Sequence, residues 1–215
     1  WARMMSIQNP YVGPRSFEIG EMLYGREREL RQLKSLLVAE RIVLLHSPSG
    51  AGKTSLIQAG LVPNLPKTFN VLPIIRVNLE PPQEARFVNG FNRYTFSTLA
   101  ALEEGQLPEN RLPYRDLAAL TLDAYIERYL PPKDMVLIFD QFEEILTTSL
   151  ADHESKAAFF TDLGISLRNT DRWALFSMRE DFIGALDPYL RPIPGQMESR
   201  YRLDLLGPDA AKQAI

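Results

Sequence analysis

Apolar residues along the chain follow two alternating rhythms. Between Glu27 and Ala39 they fall at Leu30, Leu33, Leu36 and Leu37, which is helical spacing. Ile42-Val43-Leu44-Leu45 is then a short unbroken apolar run closed by a Pro/Gly-rich loop, the pattern of a parallel strand buried on both faces. A helix is predicted to open at the end of that loop, near Lys53, ahead of Leu56, Ile57 and Ala59. Val71–Val77 reads as a second strand, and Pro73 inside it, which has no N–H to donate, argues for an outer position in the sheet. Met135–Phe139 is a third strand, Trp173–Met178 a fourth and Tyr201–Leu205 a candidate fifth. Leu117–Tyr129 and Ala157–Arg168 are helical, while Pro81–Pro113 is mixed and loop-rich with a candidate helix over Phe96–Glu104. Strands alternating with helices predict a parallel α/β sheet with right-handed crossovers. No internal repeat or low-complexity tract interrupts the pattern.

Composition narrows the reading. The chain has 215 residues, 45% hydrophobic and 24% charged, enough for one sizeable core. A net charge of -3 gives no whole-surface basic footprint, so nucleic acid is not an expected partner, although a local patch stays open. Without cysteine there is neither a disulfide framework nor a thiolate metal site, and His46 and His153 are too far apart to form a metal motif. No apolar run approaches the roughly 18 residues of a membrane span, and Trp1–Asn9 lacks the apolar segment of a signal peptide. Cytoplasmic residence is the default expectation. Residues 1–22, with the stretch N-P-Y-V-G-P-R, read as an arm or linker, and residues 23–206 as the core. Ala210–Ile215 opens a helix that stops in its second turn, so 207–215 reads as the start of a truncated helical lid in a chain that continues.

The loop after the first strand carries the sharpest chemistry. Residues 46–55 are H-S-P-S-G-A-G-K-T-S, which fit G-x-x-x-x-G-K-[ST] except that Ser47 replaces the first glycine. Gly50 and Gly52 let the backbone curl so that the N–H groups of Ser49 through Ser55, those of Ala51 and Gly52 included, converge on phosphate oxygens. The following helix adds partial positive charge at its N-terminus. Lys53 is placed to reach the β- and γ-phosphates, Thr54 to put its hydroxyl on Mg2+, and Ser55 to touch the α-phosphate. If position 47 needs a positive φ, a serine there is strained.

The third strand ends in acids, M-V-L-I-F-D-Q-F-E-E. Asp140 at its tip is the expected partner of the phosphate loop in holding Mg2+. Glu143 or Glu144 is the candidate to orient or deprotonate a water; the alternative is that both are solvated acids at a helix start. Arg179, at the tip of the fourth strand, is a candidate sensor of the γ-phosphate, with a surface salt bridge to Glu180 or Asp181 as the alternative. Tyr24 and Arg26, around Gly25, are candidates to support adenine and to reach phosphate; an ordinary helix lead-in is the other reading.

Together these segments resemble the NTPase domain of STAND-class signal-transduction ATPases, in particular the bacterial novel STAND branch. The likeness runs from N-P-Y-V-G-P-R-S-F through L-Y-G-R-E-R-E-L, S-P-S-G-A-G-K-T-S-L-I-Q-A-G-L-V-P, L-I-F-D-Q-F-E-E-I and S-M-R-E-D-F-I-G to Y-R-L-D-L-L. D-Q-F-E-E and R-E-D-F are its more specific parts. The resemblance implies a three-layer P-loop NTPase fold similar to AAA+ ATPases, with a five-stranded, mainly parallel sheet in which the acidic strand lies beside the fourth. It implies that Gly25 and Arg26 contact the nucleotide, that Asp140 serves magnesium, that the following acids serve hydrolysis, and that Arg179 is a sensor. It also implies an ATP/ADP switch that controls homo-oligomerisation and an effector domain, with a sensor array in the same longer chain, often in defence against phage. Two departures stand out: Ser47, and a lid and winged-helix part expected only after Leu206, without which hydrolysis should be weak.

The competing readings are a nucleotide-binding scaffold with negligible hydrolysis and a motor-type AAA+ ATPase. The motor would need a gripping loop, for which Phe87–Phe96 is the sole candidate insertion; packing against the sheet is its plainer explanation. A small-molecule kinase is the weakest reading, since no second substrate pocket is visible.

Overall fold

A computed structural model of the protein describes residues 17, 21, 23–148 and 152–206. The arm predicted over 1–22 (Phe17 and Glu21 apart) and the lid start predicted over 207–215 lie outside the described residues. The elements run α1 (Glu27–Glu40), β1 (Ile42–Ser47), α2 (Lys53–Ser55), a π-helical segment (Leu56–Leu61), α3 (Val62–Asn64) and β2 (Asn70–Val71). They continue through α4 (Gln83–Arg86), α5 (Arg93–Glu103), α6 (Tyr114–Leu117), α7 (Leu122–Tyr129), β3 (Met135–Phe139), α8 (Glu144–Thr147), α9 (His153–Leu167) and β4 (Arg172–Arg179). A 3-10 stretch (Glu180–Tyr189) and β5 (Arg200–Arg202) follow. No described helix is long and apolar enough to cross a membrane.

The five strands form one sheet in the order β2-β3-β4-β1-β5, and every pairing is parallel. β1 and β3 read as unbroken apolar runs because both faces are covered. Ile42 and Leu44 of β1, with Leu137 and Phe139 of β3, join the core under α5, α7 and α9. Val43, Leu45, Val136 and Ile138 face the other way, onto α1 and the helical stretch after β1. Burial of each such side chain contributes about 1.5–3 kcal/mol. Phe139 and Phe176 stack at 4.9 Å between ring centres under the acidic end of the sheet, with Phe142 closing the same cluster.

α9 opens at His153 rather than Ala157, β5 is confined to Arg200–Arg202, and three further elements differ from the sequence reading, each for a local reason. The strand predicted over Val71–Val77 is continuous only through Asn70–Val71. Pro73 has no N–H for the ladder, and contact with β3 resumes at Ile75, whose N–H donates to Ile138 at 2.8 Å. The helix predicted over Leu117–Tyr129 is broken by Ala118–Thr121, because the Thr121 hydroxyl and the Asp162 carboxylate take the N–H groups that open α7. The candidate helix at Phe96 starts earlier, at Arg93, where the Asn92 side chain accepts from Tyr94 and Thr95. The outer position argued from Pro73 is the one β2 occupies.

This sheet order brings the C-terminal ends of β1, β3 and β4 to one edge. Ser47 is in register with Arg179, and Phe139 with Phe176. In open parallel sheets that edge is where ligands bind.

Candidate functional site

The loop between β1 and α2 is shaped by backbone angles. Gly50 and Gly52 have φ of 78° and 88°, the left-handed region that side chains other than glycine enter at a cost of about 1–2 kcal/mol. Nothing lies within 4 Å of a Cβ added at either position, so the constraint is the angle and not space. Ser47 carries no such strain: it is the last residue of β1, fully buried and in strand register. Its hydroxyl donates to the Pro48 carbonyl and accepts from Lys53 Nζ, both at 2.8 Å. The serine in the first-glycine position thus fixes the lysine rather than deforming the loop. Ser49 and Gly50 are exposed at the rim, Ala51 is buried, and the Ser55 hydroxyl accepts from the Phe17 N–H at 3.1 Å.

Opposite the loop, Asp140 is 2% exposed at the end of β3. Its Oδ2 accepts from the Thr54 hydroxyl at 2.8 Å, so the two residues expected to share a metal already touch. Its Oδ1 is buried with no hydrogen-bond partner, which makes it a ready acceptor for a hard cation. The residues present therefore fit Mg2+, with Thr54 and Asp140 as the protein's share. Among the described residues no group of three or more His, Asp or Glu side chains gathers as a metal site. Magnesium held by one carboxylate and one hydroxyl draws its remaining ligands from phosphate and water. Once bound, the ion would neutralise charge on the phosphate oxygens.

The two glutamates are separated by their surroundings. Glu143 Oε2 accepts from the Arg179 backbone N–H at 3.3 Å. Glu144 has a buried, unpartnered Oε2, and burial raises its carboxyl pKa; Arg76 opposes that shift, while Glu143 and Asp140 reinforce it. A base with a raised pKa is the better proton acceptor near neutrality. A stability consequence follows. Because the folded pKa is raised, the ionised form is disfavoured above that pKa, and the penalty fades as pH falls toward the unfolded value. Glu144→Gln should therefore raise the melting temperature at pH 7, with the gain shrinking toward pH 4.5, the unperturbed value. A gain that does not change with pH would show that the carboxylate is not strained by burial.

Arg179 lies at the strand tip, but its guanidinium pairs with Asp181 and sits 5.3 Å from the Phe182 ring centre. The salt bridge anticipated as the alternative is present. Tyr24 is half-buried beside Gly25, whose φ of 73° sets the turn into α1. Arg26 is almost fully buried, and its guanidinium bonds to backbone carbonyls rather than opening into the loop. Of the 87–96 stretch, Tyr94 and Phe96 are packed in the core, whereas Phe87 is 86% exposed.

Two residues at the site escaped the sequence reading. Arg76, after β2, places a guanidinium nitrogen 3.7 Å from Asp140 Oδ2. Only the placement of β2 beside β3 brings it there, and no motif announces it. Gln141, next to Asp140, has a φ of 55°, a strained angle for a non-glycine residue. That turn lets the Phe142 N–H donate to the Ser177 carbonyl at 2.8 Å.

The family profile described as Novel STAND NTPase 1 matches residues 10–215. Among solved structures the chain is similar to the Walker-type ATPase of Pyrococcus abyssi, at 16% identity and a TM-score of 0.61, over 94% of this chain and 59% of that one. It is similar to the Aeropyrum pernix ORC2 protein, solved as ADPNP–ADP complexes, at 13% identity and a TM-score of 0.57, over 86% of this chain and 50% of that one. Drosophila ORC bound to DNA follows at 12% identity and a TM-score of 0.51, over 88% of this chain and 31% of that one. These identities show a shared fold. The chain spans between half and three fifths of the length of the first two solved chains. Among curated proteins there is no significant match.

Proposed function

The chain belongs to the Novel STAND NTPase 1 family, and from that premise we propose that it is the ATP/ADP switch domain of a signal-transduction ATPase. In this reading its nucleotide state controls oligomerisation and the activation of an effector domain elsewhere in a longer chain, in bacterial defence or regulation. The observation that supports it most is the contact between Thr54 and Asp140 at 2.8 Å, directly below a loop whose glycines are already left-handed. The groups that would share Mg2+ touch each other, and the glycines that would turn the loop around phosphate have the angles it needs. Lys53 then binds the terminal phosphates, Thr54 and Asp140 hold the ion, and Glu144, with Glu143 beside it, orients the attacking water. Tyr24 and Gly25 border the nucleoside, and Ser55 lies toward the α-phosphate.

The reading is tested by denaturing the purified protein and identifying released nucleotide chromatographically, with Lys53→Ala as control. ADP from wild type alone supports a switch that traps its product. No nucleotide from either, together with no ATP or ADP binding in calorimetry, overturns it.

One observation favours a scaffold with negligible hydrolysis. Arg179 is engaged by Asp181, and Glu143 by the Arg179 amide, so neither is poised toward a γ-phosphate. Glu143→Gln combined with Glu144→Gln separates the two readings. The switch reading expects nucleotide affinity within about threefold of wild type and complete loss of any turnover. Retained hydrolysis would reject both glutamates as the base.

A further inference from the structure

We infer that Arg26 is a positioning residue that couples the phosphate loop to the backbone leaving β5. Arg26 is 5% exposed, and one guanidinium nitrogen, Nη2, donates to two carbonyls, Ala51 at 3.0 Å and Asp204 at 2.8 Å. Nη1 donates to Glu29 Oε1 at 3.0 Å, which fixes the fork from behind.

The Ala51 contact governs the loop through the geometry of a single peptide. A peptide unit is planar and trans, so its C=O and N–H point in opposite directions. The unit that carries the Ala51 carbonyl also carries the Gly52 N–H. Arg26 holds the carbonyl outward, toward α1, and so directs the Gly52 N–H toward the inside of the loop, where a phosphate would sit. The unit lies between Ala51 and Gly52, and Gly52, at φ 88°, tolerates both hands of backbone, so on that side nothing but a hydrogen bond resists a flip. A buried carbonyl also needs a donor. Arg26 meets that need and removes the freedom together.

The Asp204 contact carries the effect onward. Leu203 is fully buried, and its N–H donates to the His46 carbonyl at 2.8 Å, so β5 is pinned to β1 as far as that residue. The next carbonyl, that of Asp204, is held by the guanidinium nitrogen that holds the loop. Leu205 and Leu206 follow, both exposed. A phosphate that fixes the Gly52 N–H thereby fixes Ala51, Arg26 and Asp204 in turn. By reciprocity, anything that pulls on the exit segment loosens the loop. This assignment rests on the nucleotide reading for its ligand, while the clamp itself consists of hydrogen bonds within the protein. In this arrangement Arg26 serves phosphate through the loop backbone and not by direct contact.

The test is amide hydrogen exchange on wild type and Arg26→Lys, with and without saturating Mg·ADP. Lysine keeps the charge but cannot bridge two carbonyls and a carboxylate in one plane. Without ligand, the variant should exchange faster than wild type in both residues 49–53 and residues 203–206. With Mg·ADP, wild type should gain protection in both segments; the variant should gain it in the loop alone, with affinity about tenfold weaker. Faster ligand-free exchange in only one segment, or ADP-induced protection of 203–206 that survives the substitution, overturns the coupling. Failure of wild type to bind Mg·ADP would sink the nucleotide reading, and the ligand-free comparison still decides the clamp. Glu29→Gln, which removes only the anion behind Nη1, gives a smaller change of the same sign in both segments and serves if Arg26→Lys does not fold.

Discussion

Lys53→Ala should weaken Mg·ATP binding by at least about a hundredfold while leaving the protein folded. Lys53 is half-buried at the mouth of the loop, its Nζ bonded to the Ser47 hydroxyl at 2.8 Å. Burial lowers the pKa of its ammonium, and the nearby Glu143 and Asp140 carboxylates act against that shift. The cation is therefore held in a partly desolvated place, where a phosphate would add to the compensation those carboxylates provide. A charge-assisted bond in such surroundings is worth more than one in water, and about 3 kcal/mol corresponds to the expected hundredfold loss. Removing the ammonium also relieves the desolvation cost of a half-buried charge, so stability should change by less than about 1 kcal/mol. Calorimetric titration with Mg·ATP and a melting curve check both halves. An unchanged affinity would refute the loop as a phosphate site; a collapsed fold would make Lys53 a structural residue.

The second large effect is on stability and lies far from the loop. Gly164 sits on the inner face of α9, where an added Cβ would stand 2.3 Å from the Pro192 carbonyl oxygen and 2.8 Å from its carbon. Those are backbone atoms of a segment anchored by Leu190 and Ile193, both buried, so they cannot rotate away as a side chain would. α9 itself is locked through Phe160, Leu163 and Leu167. Gly164→Ala should therefore cost about 3 kcal/mol and lower the melting temperature by roughly 6–12 °C. Gly184→Ala is the matched control, since nothing lies within 4 Å of its added Cβ. Equal melting temperatures for the two variants would mean that α9 does not seat against Pro192.

Much of the site was legible because parallel strands advertise themselves. β1 and β3 read as unbroken apolar runs, and the residues that follow each, the Gly-Lys-Thr loop and Asp140, are local in sequence. Their meeting in space follows from the α/β rule alone, and the structure joins them at Thr54 and Asp140. What escaped depends on tertiary placement. Arg76 matters because β2 happens to flank β3, and the fragmented strand around Pro73 hid the direction in which it points. The bonds of Arg26 reach carbonyls, which every residue has, so no side-chain pattern marks Ala51 or Asp204 as partners. Ser47 looked like a departure that would strain the loop, yet the strain belongs to Gln141, where the pattern held no glycine. The π-helical segment over Leu56–Leu61 leaves no periodic signature of its own in six residues.

The place of β4 has a mechanical consequence. It lies between β1 and β3, so the loop that ends in Lys53 and the strand that ends in Asp140 share no backbone bond. A nucleotide held at both would act as a brace laid across the sheet, joining strands two places apart. At this edge of the sheet the Thr54–Asp140 hydrogen bond already reaches across β4, and the brace would add to it. With the brace in place, β1, β3 and the strand between them can come apart only as a block.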